Sequence, residues 1–231
     1  MKKFFGIVLA SALVGGMMQS CQSEDNLFAE GEGMLKMKMV INNSLTRSGE
    51  TAGDSLAEKC IIYVSNEKGL IHKFKGIENV PSDLYLKSGG YVAEAWTGDS
   101  VTASFDKKFY KAYEPFTIAK GDVKQVVLNC KIANVVASIE PDAILSEVLT
   151  DYKVTIGNSR GSLEFTADNA ATAHGYFMQP NGDTSLTWTI TGKRENGQDY
   201  VKKGTIFDVK PAHEYVLKVK YTPDPNDYGG A

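Results

Sequence analysis

The segment "MLKMKMVI", Met34–Ile41, decides the fold. Leu35, Met37, Met39 and Ile41 alternate with Lys36, Lys38 and Val40. Side chains of a strand point to opposite faces with period two, so this is a strand with one apolar and one wet face. The loop "NNSLTRSGETAGDS" follows it. "CIIYVSNEKGLIHKF" then reads as two β-rich runs around the turn "NEKG". "DLYLKSGGYVAEAWT" places Gly89-Gly90 between two alternating runs and predicts a second hairpin. "PFTIAKGDVKQVVLNCKI" turns at Lys120-Gly121-Asp122 and then sets Val126, Leu128 and Cys130 on one face. Residues 34–132 thus supply about seven short strands, a spacing that suggests a sandwich or barrel.

The second half repeats the pattern. "NVVASIEP" is a strand. "PDAILSEVLTDY" is the one helix expected, with Pro141 at its first position and Ile144, Leu145, Val148 and Leu149 on one face. "YKVTIGNSRGSLEFT" and "HGYFMQP" follow. In "SLTWTITG", Leu186, Trp188 and Ile190 oppose Thr187, Thr189 and Thr191. Asn196-Gly197 is a hairpin turn, and "TIFDV" and "EYVLKVKY" close the set. The fold class is mainly β with one short helix. The tail, residues 223–231, is linker-like and predicts a further domain beyond it.

Hydrophobic residues make up 42% of the chain and aromatic residues 10%, enough to build a core. The chain opens with Met1-Lys2-Lys3 and the apolar run Phe4–Met18. That run is short for a membrane span, which needs roughly 20 apolar residues. A basic segment followed by such a run reads as a secretory signal, here residues 1–20. Removing it takes Lys2 and Lys3 away, so 23 basic and 28 acidic residues remain and the net charge moves from −3 to −5. That balance gives no basic field for nucleic acid.

Met18-Gln19-Ser20-Cys21 resembles the lipobox of bacterial lipoproteins, although Met18 and Gln19 depart from its usual residues. The resemblance implies that Cys21 carries a diacylglycerol and, after cleavage, a third acyl chain such as palmitate. Each buried methylene contributes about 0.8 kcal/mol, so two or three chains anchor firmly. Residues 21–33 form a tether. Its start, "QSEDN", resembles the acidic surface-export signal of Bacteroidetes lipoproteins. The expected location is therefore the outer membrane, lipid-anchored and facing outward.

The search for chemistry finds little. His72, His174 and His213 have no His or Cys within four residues, so no local metal motif exists. No nucleophile elbow, Walker loop or dinucleotide fingerprint occurs. No cofactor is expected, and the protein is read as non-catalytic. His72 is expected on the outer face of its strand. Cys60 and Cys130 sit at apolar strand positions, either as a disulfide in an oxidising compartment or as two buried thiols. Tyr91 is expected in the core and Trp96 on the opposite face. Tyr110 and Tyr113, in loop-like "FYKAYEP", are expected to be exposed. Ser55 and Ser100, in Asp54-Ser55-Leu56 and Asp99-Ser100-Val101, resemble O-glycan acceptors of Bacteroidetes envelope proteins.

"LYLKSGGYVAEAWTGD", "EPFTIAKGDVKQVVLNCKIANVVASI" and "YKVTIGNSRGSLEFT" taken together are similar to a Bacteroidetes lipoprotein domain of unknown function related to the fimbrillin superfamily of fimbrial subunits and anchors. The resemblance covers residues 32–222. It implies two consecutive transthyretin-like or Ig-like β-sandwiches, residues 34–132 and 133–222, and a role in a fimbrium or in adhesion. Partners would then be fimbrial subunits or other surface proteins. It also implies assembly by strand donation, in which a protease cuts after a basic residue behind the first strand. Arg47 in "SLTRSGE" is the matching position. "PNDYGGA" departs from the pattern by offering no apolar donor strand. The alternative function is a stand-alone glycan- or protein-binding surface lipoprotein that uses exposed aromatics.

Overall fold

A computed structural model describes residues 31–44, 55–179 and 182–221. The alternation in the first strand is borne out: β1 (Glu32–Asn42) buries Leu35 and Ile41 and leaves Lys36, Lys38 and Val40 exposed. It is not an edge. β1 pairs in parallel with β8 (Val123–Ile132) over nine residues and antiparallel with β4 (Leu84–Lys87) over four. β2 (Ile61–Asn66), β3 (Gly69–Lys75), β5 (Gly89–Gly98) and β7 (Phe109–Ile118) complete a seven-stranded sheet of order β3-β2-β5-β7-β8-β1-β4.

That sheet folds upon itself. The ladder between β7 and β8 holds only two residue pairs, Tyr110 with Ile132 and Lys111 with Lys131. Pro115 lies in the part of β7 outside this ladder, where its missing N–H is tolerated. The strip β3-β2-β5-β7 supplies Ile62, Val64, Ala93, Ala95 and Phe116 to a buried cluster, and the strip β8-β1-β4 supplies Leu35, Leu84, Leu86, Val126 and Leu128 to the same cluster. Two apolar faces closed on one core make a sandwich.

The remaining strands build a second sandwich. β9 (Val135–Pro141), β12 (Gly175–Phe177), β15 (Glu214–Val219) and the two-residue β6 (Ala103–Ser104) form one sheet, of order β15-β9-β12-β6. β10 (Leu149–Gly157), β11 (Ser162–Thr166), β13 (Leu186–Arg194) and β14 (Asp199–Ile206) form the other, of order β11-β10-β13-β14. Val135, Ala137, Ile139 and Phe177 from the first sheet meet Val154, Ile156, Phe165, Leu186 and Ile190 from the second. The β13–β14 hairpin turns at Asn196-Gly197, with Gly197 at φ 79°. β9 is buried along five successive residues, Val135 to Ile139, because both of its faces are covered.

Several expectations are corrected. β4 and β5 are not a hairpin: β4 crosses to the far edge of the sheet and pairs with β1. Ser88 marks the crossing, its N–H and its hydroxyl both donating to the Gly31 carbonyl at 2.8 and 2.9 Å. The expected helix shrinks to one turn, α2 (Leu145–Val148), because Pro141 ends β9 and Leu149 starts β10. A second one-turn helix, α1 (Ser55–Glu58), precedes β2. β6 leaves the first half of the sequence to join a sheet of the second.

Candidate functional site

Two surfaces carry the residues singled out in the sequence. The first is the seat of β1. Its inner residues Leu35 and Ile41 lie in the first core, and Met37 and Met39 pack against that core. Just past its end, Asn43 Oδ1 accepts from the Tyr110 hydroxyl at 2.8 Å and from Lys108 Nζ at 3.0 Å. Tyr110 is 3% exposed, which corrects the expectation of an exposed loop residue: "FYKAYEP" is strand, and Tyr110 shares the inner face with Ala112. Burial, with Tyr176 as a smaller cause, pushes the Tyr110 phenol up to about 12. Where the described chain resumes, the Thr97 hydroxyl donates to the Leu56 carbonyl at 2.7 Å. Arg47 falls outside the described residues, as do Cys21 and the rest of residues 1–30.

The second surface is the outer face of β2, β5 and β7. Trp96 is on it, opposite buried Tyr91, Ala93 and Ala95, as the alternation predicts. It is half-buried, with the Tyr63 ring edge-on at 4.6 Å. Lys73 lies over the Tyr63 ring at 5.5 Å. Tyr113 stands 64% exposed. Tyr91 is in the core, stacked on Phe116.

Cys60 and Cys130 are both buried and both free thiols in this structure. Burial raises both, and Cys130 reaches about 12 with Cys60 as a second cause. Ser55 on α1 and Ser100 past β5 are exposed. His72 faces the core side, opposite Val64 and stacked on Phe74 at 5.8 Å, so its expected outward position is corrected. The bulge between Val64 and Ser65 lies immediately past it and resets the register of the edge strand.

One trio resembles a hydrolytic site by composition. The Ser138 hydroxyl donates to Glu214 Oε1 at 2.7 Å, and His174 Nδ1 lies 2.8 Å from the same oxygen. The carboxylate sits between the other two groups, so the His174 imidazole does not touch the serine, and the order of a Ser-His-acid relay is not met. Among the described residues no group of three or more His, Cys, Asp or Glu could hold a metal ion, and no helix is long and apolar enough to cross a membrane. Asn43 is the residue that sequence reading missed. It stood in a run of loop letters, and only its carbonyl contacts with two residues 65 and 67 positions away reveal it.

The chain belongs to the family described as Domain of unknown function (DUF4493), whose model matches residues 31–230. The expected domain of unknown function is thus found over nearly the expected residues. No curated protein is matched by the sequence. Among solved structures, the chain is similar to a "putative cell adhesion protein" from Bacteroides eggerthii, at 9% identity and TM-score 0.47, covering 83% of this chain and 86% of that one. It is also similar to the fimbrial anchor protein Mfa2 from Porphyromonas gingivalis, at 10% identity and TM-score 0.41, covering 73% and 82%.

Proposed function

We propose that this DUF4493 chain is a non-catalytic, lipid-anchored protein of the outer-membrane surface, acting as a structural or adhesive unit of a fimbria-like assembly. The anchor is Cys21, and the two sandwiches divide near residues 132 and 133. The observation that supports this reading best is the seat of β1. The strand lies between β8 and β4, and its removal leaves a vacancy one strand wide with an exposed ladder on each side. Leu35 and Ile41 would leave apolar pockets at alternate positions along it. An extended strand from a partner subunit satisfies both needs, with main-chain hydrogen bonds for affinity and alternate side chains for register. Arg47 follows β1 in the sequence, and cleavage there would free the strand together with Cys21, so the lipid would hold the chain until that cut and the partner strand afterwards.

Blotting an unheated denaturing gel of the outer-membrane fraction tests this. A ladder of high-mass bands, lost in Arg47→Ala, is expected. A single monomer band refutes strand exchange. Unchanged membrane retention of Cys21→Ala refutes the anchor.

A further inference from the structure

The outer face of β2, β5 and β7 also carries a hollow that strand exchange does not use. Gly90 forms its floor. Gly90 shares a face with Val92, Glu94 and Trp96, and it pairs with Thr117 of β7. A Cβ placed on it would meet nothing within 4 Å. The hollow measures about 450 Å³ and is bordered by Ser65, Glu67, Val92, Pro115 and Thr117. The next row across this face is Tyr63, Glu94 and Tyr113, and the row beyond is Ile61, Trp96 and Lys111.

We propose that this face binds a neutral pyranose polysaccharide, with one sugar ring seated over Gly90 and its neighbours running along Tyr113 toward Trp96. A pyranose offers an apolar C–H face and a rim of hydroxyls. The lining is its complement: Val92, Pro115 and the Tyr113 ring meet C–H surface, and the Ser65 and Thr117 hydroxyls and the Glu67 carboxylate meet hydroxyls. A volume in the range of ligand sites, mostly apolar with a few convergent polar groups, fits this use. Charge narrows the class. The residues bordering the hollow include the Glu67 carboxylate and no cation, and in the rows beyond, Glu94 stands among Lys73 and Lys111, so the seat over Gly90 itself disfavours an anionic ring. The backbone excludes an extended peptide at the floor. β5 is already paired with β7 from Gly89 to Gly98 and with β2 from Val92 to Trp96, so only the three residues Gly89 to Tyr91 keep an open edge, on the β2 side, too short a ladder to hold an added strand. Gly90 and Trp96 are six residues apart along β5, and a strand rises about 3.4 Å per residue, so the path spans roughly 20 Å, the length of a short oligosaccharide.

The test is native affinity electrophoresis of the mature chain through gels containing dextran, mannan, galactan or xylan, with polygalacturonate as the anionic control. Retardation by at least one neutral polysaccharide and none by polygalacturonate is expected. Gly90→Val fills the hollow with a residue suited to a strand, and Tyr113→Ala removes an exposed ring. Both variants should keep the wild-type thermal midpoint, and each should weaken retention by about tenfold or more, the effect of losing one good contact. Retention unchanged in Gly90→Val overturns the site. Retention only by polygalacturonate overturns the ligand class. Retention by none of the four neutral polysaccharides overturns the proposal while leaving the strand-exchange reading untouched, since β1 has no part in this face.

Discussion

Leu35→Ala is the sharpest probe of the reasoning about β1. Leu35 is fully buried between strands that pair with β1 on both sides. Truncation to alanine removes the equivalent of about three methylenes, or about 2.4 kcal/mol of transfer free energy. The cavity left in a packed sandwich raises the cost to about 3–4 kcal/mol. For a chain of this size each kcal/mol lowers the thermal midpoint by about 2–4 °C, so a fall of roughly 6–16 °C is expected. The two tryptophans make the assay specific. Trp96 lies on the first sandwich and Trp188 packs against the second core. In a Trp188→Phe background, Trp96 fluorescence follows the first sandwich alone. Val40→Ala is the control, because Val40 points from the opposite face of β1 and is 44% exposed. Its cost should be well under about 1 kcal/mol. If Leu35→Ala costs less than about 1 kcal/mol, or no more than Val40→Ala, β1 is not seated in the core and the strand-exchange argument fails.

Two further outcomes follow from the same structure. Asn43→Ala strands the buried Tyr110 hydroxyl and should cost about 1–3 kcal/mol, with faster amide hydrogen exchange at Ile41 and Asn42; unchanged exchange there would remove Asn43 as the tie at the end of β1. Stability should also decline in alkali. The folded state holds the Cys130 thiol up to about 12, above its unfolded value of about 8.5. Between those pH values the unfolded chain has lost the proton that the folded chain keeps, so stability falls as pH rises. The urea midpoint should therefore drop from pH 8 to 10 in the native chain and drop less in Cys130→Ala.

The sequence carried the faces of strands far better than their neighbours. In β1 and β8 the alternation of apolar and polar residues named the buried set, Leu35, Ile41, Val126, Leu128 and Cys130, because burial of one face is a local demand repeated every second residue. Pairing is a long-range matter. Gly89-Gly90 looked like a turn, yet the chain there crosses to the far edge, and nothing local records that β4 completes a ladder with β1. Tyr110 was misread for a related reason. "FYKAYEP" mixes polar and aromatic residues without clean alternation, and its strand state is imposed by β5. His72 was assigned by counting, and the adjacent bulge defeats counting. The hollow over Gly90 was illegible for another reason still: it is made by a missing side chain, and the glycine had already been spent on a turn.

The parallel pairing at both ends of the described chain has a mechanical meaning. β1, the first strand, runs parallel to β8, and β15, the last, runs parallel to β9. Tension pulling Glu32 one way and Val219 the other draws β1 along β8 and β15 along β9. Each ladder is then loaded in shear, with many hydrogen bonds bearing force at once, whereas antiparallel end strands would unzip one bond at a time. Pulled from Glu32 and Val219, the described chain resists opening through both parallel ladders.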